Sequence, residues 1–213
     1  MHPCQNFPAS LGLHQYGVAI HQGVGKFKLA LPHVVSNEHN DLTPTMRRLL
    51  TNLFDDLKQL ELRIAEVSRE IEAIAASNDR ARRLMTVPGI GPLAATAIVA
   101  AAGDGRQFKR ARDMAAWLGL VPREYSTGGK TTLMGISKRG NRYLRRLLVH
   151  GARACVTRMD RSRDWLGEWL DGLERRMHRN KVTVALAAKI ARIAWVILTR
   201  RGALYERREN VAA

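Results

Sequence analysis

Apolar residues recur along residues 43–77 with a regular step. Met46, Leu50, Leu53, Leu57, Leu60, Ile64, Val67, Ile71 and Ile74 are separated alternately by four and three positions. The mean step of about 3.5 residues is slightly shorter than the roughly 3.6 of a straight α-helix, so the stripe stays in line only if the helix winds around a partner. Thr43 offers a side-chain cap and Pro44 suits a first helical turn. The other faces carry Asp55, Asp56, Lys58, Glu61, Arg63, Glu66, Arg69, Glu70 and Glu72. The pattern predicts one long helix that pairs with a second copy as a coiled coil, giving a homo-oligomer.

Residues 1–42 mix Gly, Pro and His in irregular order and predict no independent domain. After the stripe, Ser77-Asn78-Asp79 breaks the period. Arg80 to Met85 starts a short helix, Val87-Pro88-Gly89-Ile90-Gly91-Pro92 a tight turn, and Leu93 to Ala102 a helix of small residues. Gly89 and Gly91 permit positive φ and close approach to another surface, and the helix that follows offers free N–H groups and a positive dipole end to a phosphate. This reads as a helix-hairpin-helix.

Further helices are predicted at Phe108–Leu118, closed by Gly119, then into residues past Gly140 as far as Arg158, and from Val182 to Arg201. A polar, glycine-bearing loop, Arg123 to Thr132, lies between the first two. Residues 159–181 form a more polar region whose Trp165 and Trp169 are assigned to the core. The fold class is mainly α: an irregular segment (1–42), a coiled-coil helix (43–77), a compact helical domain with the hairpin and a serine loop (78–205), and a frayed tail (206–213).

Charge changes the picture. Thirty-five Lys and Arg against 19 Asp and Glu give a formal charge of +16, which favours a polyanionic partner. Residues 43–77 hold five basic and six acidic side chains, a net charge of −1, whereas residues 106–163 hold 15 and three, a net of +12. A solvated surface normally mixes signs, so the second stretch reads as a phosphate-binding face. In the helix ending at Arg158, Arg142, Arg146, His150 and Arg153 fall on one side, with Leu144, Leu147, Leu148, Gly151 and Cys155 on the other. Lys130, Lys138, Arg139, Arg142, Arg145, Arg146 and Arg153 are the candidates to track a DNA or RNA backbone.

Cys4 and Cys155 stand far apart with no Cys/His cluster, so neither a disulfide framework nor a zinc site is expected. Lys189 and Arg192 interrupt the apolar run near the C-terminus, which therefore predicts a buried helix and no membrane association. No signal pattern opens the chain, and a cytoplasmic location is expected.

Four pieces in order carry a resemblance: Leu84 to Pro92, Ala115 to Pro122, Ser126-Thr127-Gly128-Gly129-Lys130, and Gly135 to Leu148. Together they resemble the C-terminal domain of insertion-sequence transposases that pair a RuvC-like carboxylate domain with a catalytic serine and are guided by a bridge RNA. Tyr16 to Gly23 is similar to the segment that joins the RuvC-like domain to the coiled coil. The resemblance implies DNA strand cleavage and joining, with a guide RNA and DNA as partners. It implies no cofactor in this chain, because the divalent metal belongs to the RuvC-like domain and only Glu38 and Asp41 precede residue 43 as acids.

By position the resemblance places the nucleophile at Ser126, with Ser137 the rival. Ser137 stands just before a predicted helix, which suits a capping or phosphate-contact role. No general base adjacent to Ser126 is visible in the sequence. A catalytically inactive fragment that binds nucleic acid beside a full-length transposase, and a structure-specific DNA-binding protein built on the hairpin, remain as alternatives.

Overall fold

The computed structural model describes Val18, residues 23–127 and residues 129–207; for Thr127, Lys130, Thr131, Arg163 and Trp165 it describes the backbone alone. The mainly helical class holds. Two compact units divide the chain at Met1–Val67 and Ser68–Ala213.

The first unit contains α1 (Val24–Ser36) and most of α2 (Pro44–Ser77). α1 corrects the expectation of irregular structure before residue 43. Gly23, Gly25 and an internal Pro32 hide it, yet Phe27, Leu31, Val34 and Val35 recur at helical spacing and pack with Leu42, Met46, Leu50 and Phe54. Thr43 caps α2 as expected, its hydroxyl accepting the Met46 N–H at 3.2 Å. Arg47 closes the corner by donating to the carbonyls of Val35, Asn40 and Leu42 and to the Asn40 side chain. Leu50 is thereby buried, but farther along the stripe Leu60, Ile64 and Val67 remain 55%, 65% and 52% exposed.

The second unit is built on α8 (Arg179–Thr199), against which α3 (Asp79–Leu84), α5 (Ala111–Trp117), α6 (Arg142–Arg158) and α7 (Trp165–Glu174) pack. α4 (Pro92–Ala102) packs on α3 and α6. α8 is long and apolar enough to cross a membrane by composition, but its apolar side lies in this core through Val182, Leu186, Ile190, Ala194 and Ile197. α7 occupies part of the region expected to be merely polar. Gly167 and Gly172 weaken its signal, while Asp164 caps it by accepting the Leu166 N–H at 3.0 Å.

Buried polar groups in this unit are paired. The Arg83 guanidinium donates to the carbonyls of Ile197 and Arg200 at the end of α8 and to the Asp79 carboxylate. Hydrogen bonds from Arg83 and Arg82 hold that carboxyl below its ordinary range. Tyr205 ties down the segment after α8, its phenol donating to buried Asp164 at 3.1 Å and its N–H to the Thr86 hydroxyl at 2.9 Å. Burial, then the Asp164 charge, pushes the Tyr205 phenol well above its usual range.

Glycines set the close contacts. α5 ends in a Schellman arrangement, with Gly119 at φ 70°, its N–H on the Ala116 carbonyl and the Leu120 N–H on the Ala115 carbonyl.

The expected serine loop is instead an antiparallel hairpin of β1 (Pro122–Thr127) and β2 (Lys130–Ile136). Tyr125, Thr127, Thr131 and Thr132 favour extended backbone, and Gly129, at φ 77°, lies in the short connection. Register slips between Pro122 and Glu124, where two residues of β1 face a three-residue step of β2.

Candidate nucleic-acid interface

α6 presents the cations. Asn141 caps it, accepting the Leu144 N–H at 3.1 Å; Ser137 does not, being four residues too early, so the capping role expected of it is corrected. Arg142, Arg146, His150 and Arg153 are exposed along one side, while Leu144, Leu148, Ala152, Cys155 and Val156 are buried on the other. None of the three arginines forms an ion pair with a described residue. Their charge is therefore available to an anion from solution. Burial pushes the Cys155 thiol up, which keeps it protonated within the core.

The glycine turn meets this helix from its own side. Gly89 has φ 86°, and a Cβ on Gly151 of α6 would lie 1.9 Å from the Gly89 carbonyl oxygen. The close approach that Gly89 permits is thus made to α6, at Gly151 and Cys155. Gly91 differs from expectation: its φ is −93°, in the ordinary range, and space around its Cβ position is open. It caps α4 without a side chain, leaving the first-turn N–H groups uncovered by any cap.

Lys138 and Arg139 stand exposed on a corner that is clamped to the end of α5. The Ser137 N–H donates to the Val121 carbonyl at 2.8 Å and the Lys138 N–H to Gly119 at 3.1 Å. Lys138 sits at φ 56°, a left-handed conformation that its neighbours impose. A Cβ on Gly140 would fall 1.8 Å from the Trp117 carbonyl oxygen. Arg145 has a structural share in this corner: half-buried, it donates through Nη1 to the Leu118 carbonyl at 3.0 Å and the Arg139 carbonyl at 3.4 Å.

Ser126 is exposed on β1, opposite Thr131. Its hydroxyl donates to the Glu124 carboxylate at 2.7 Å, a neighbour the loop reading could not supply. Residues two apart on a strand share a face, and that period is the signal that would have found Glu124. The Lys130 side chain lies outside the described residues. A groove of about 920 Å³ is lined by Leu133, Met134 and Ile136 of the hairpin together with Trp169, Val184 and Ala188 of α7 and α8. Arg112, Lys181 and Arg192 also line it, cations that no sequence pattern singles out.

Among the described residues, no group of three or more His, Cys, Asp or Glu comes together to hold a metal ion. The arrangement offers cations, free helix-terminal N–H groups and a hydroxyl bonded to a carboxylate.

Residues 81–165 match the family described as Transposase IS116/IS110/IS902 family. The match runs from α3 to the start of α7 and so contains the glycine turn, the serine hairpin and α6. Over this segment the chain is similar to the IS116/IS110/IS902 transposases. It is 47% identical over 189 residues to a "Probable family 20 transposase" of Pseudomonas aeruginosa, covering 88% of this chain and 56% of that protein. Against the transposase for insertion sequence element IS1328 of Yersinia enterocolitica, identity is 44% over 88% of this chain and 55% of the relative. Against that for IS1111A of Coxiella burnetii it is 41% over 89% and 52%. The chain thus spans about half the length of the curated relatives it matches.

Proposed function

We propose that this chain acts in DNA transposition, gripping a nucleic-acid backbone along α6 and attacking a DNA phosphodiester with Ser126. The observation that carries the proposal is the row of exposed, unpaired arginines on α6, in the segment that matches the transposase family. Phosphates held there would be positioned by charge and not read for sequence. In this reading specificity comes from a guide RNA, and metal-bound carboxylates come from a separate RuvC-like domain. Gly89 and Gly91 belong to a helix-hairpin-helix-like backbone contact, in which Gly89 sets the packing and Gly91 opens the helix terminus. Ser137 holds the corner through its backbone.

A second reading is a nucleic-acid-binding fragment without its own chemistry, favoured by the lack of a carboxylate cluster among the described residues. A strand-exchange assay decides between the two. The purified chain would be tested alone and with a separately expressed RuvC-like domain. The enzyme reading expects joined product that disappears in Ser126→Ala and persists in Ser137→Ala; product independent of Ser126 would remove that serine from the reaction.

The proposal includes self-association along α2. Leu60, Ile64 and Val67 stay largely exposed at heptad spacing, and an unpartnered stripe of this kind is stabilised by a second helix. Replacing Leu60 and Ile64 by Asp should convert the oligomer to monomer in sedimentation velocity while leaving the second unit folded. An unchanged sedimentation coefficient would place the self-association surface elsewhere.

A further inference from the structure

A serine hydroxyl at neutral pH is a weak nucleophile until a base withdraws its proton. The hairpin supplies such a group. Glu124 and Ser126 stand two residues apart on β1 and so share a face, and the antiparallel pairing of Glu124 with Leu133 and of Ser126 with Thr131 fixes both positions. The Ser126 hydroxyl donates to the Glu124 carboxylate at 2.7 Å, within the range a proton transfer requires. No Lys, Arg or His among the described residues forms an ion pair with Glu124. Among the described residues, the hydrogen bond from Ser126 is the contact its carboxylate makes.

We propose that Glu124 is the proton acceptor for Ser126, an inference that rests on the reading of Ser126 as nucleophile. As the Ser126 oxygen forms its bond to phosphorus, its proton passes to the Glu124 carboxylate. The ester bond from phosphorus to the leaving sugar oxygen breaks, and that oxygen takes up a proton from water. Charge is conserved, and neither oxidant nor reductant enters. Glu124 also opposes the phosphate by its own charge before it is protonated, so its neutralisation leaves DNA binding undiminished while slowing the chemistry. A glutamate without a part in proton transfer would leave binding undiminished in the same way but would not slow the chemistry.

Two measurements test the pair. In the first, Ser126→Cys is alkylated with iodoacetamide at pH 7.5, with Glu124 intact or replaced in Glu124→Gln, and modification at position 126 is followed by peptide mass spectrometry. A carboxylate that accepts from the thiol disfavours the thiolate, so Glu124→Gln should speed alkylation roughly three- to tenfold, as half to one pKa unit would. Equal rates overturn the proposal. In the second, formation of a covalent protein–DNA adduct is timed with the full chain and the complementing carboxylate domain. Glu124→Gln should slow the adduct by about 100-fold or more, the usual scale of general-base assistance, with DNA affinity equal or higher; Glu124→Asp should recover part of the rate. If Ser126→Ala abolishes the adduct and Glu124→Gln forms it at full rate, the proposal fails and the nucleophile stands. If Ser126→Ala still forms it, the serine reading fails and takes this inference with it.

Discussion

Gly140→Ala is expected to lower the melting temperature of the second unit by about 4–16 °C. The added methyl would lie 1.8 Å from the Trp117 carbonyl oxygen, and the backbone there has φ 92°. Both sides of the clash are backbone, so no side-chain rotation relieves it. Overpacking of this kind costs about 1–3 kcal/mol or more, and the left-handed conformation adds about 1 kcal/mol for a residue with a Cβ. In a domain of this size each kcal/mol lowers the midpoint by roughly 2–4 °C. Gly91→Ala is the internal comparison: with φ −93° and open space, it should stay within about 1 kcal/mol of the parent. Thermal unfolding followed by circular dichroism reads both, and equal midpoints for Gly140→Ala and the parent would show that the corner yields more easily than its geometry implies.

The contrast between these glycines also marks how far the sequence is legible. A glycine-rich turn announces that backbone comes close to something, but not to what. Gly89 and Gly91 look alike by spacing, whereas the structure gives Gly89 a contact with α6 and Gly91 an open position. The contact joins residues 89 and 151, and no local pattern encodes a partner so distant in sequence. By the same logic α6 is legible in detail: its division into Arg142, Arg146, His150 and Arg153 against Leu144 and Leu148 follows from helical period alone.

The hairpin is less legible for a physical reason. Its strands are mostly exposed, with Tyr125 and Leu133 both more than half accessible, so the alternation of apolar and polar residues that marks a half-buried strand is lacking. Polar residues around Gly128-Gly129 then resemble a loop. Reading them so separates Glu124 from Ser126, which strand geometry places side by side. Arg112, Lys181 and Arg192 escape a sequence reading because they come from separate stretches of chain and meet only at the groove.

Arg145 illustrates a further distinction, between a cation counted and a cation free, and it sets the terms of the second large effect. Arg142→Ala combined with Arg146→Ala should weaken binding to duplex DNA about tenfold or more. It should also flatten the dependence of log K on log salt by roughly 1.8, about 0.9 for each phosphate no longer neutralised. The weakening should be similar for related and unrelated sequences, because phosphate contacts carry no base identity. Both side chains are exposed and form no ion pair with a described residue, so stability should change little. Arg145→Ala should do the reverse. It removes donors to the Leu118 and Arg139 carbonyls, lowering the melting temperature through a loss of about 1–3 kcal/mol with a smaller effect on the salt slope. Filter-binding titrations from low to high salt, paired with thermal unfolding of each variant, separate the two roles. An unaltered slope in the double variant would take α6 out of the interface, and with it the observation on which the transposase reading of this site depends.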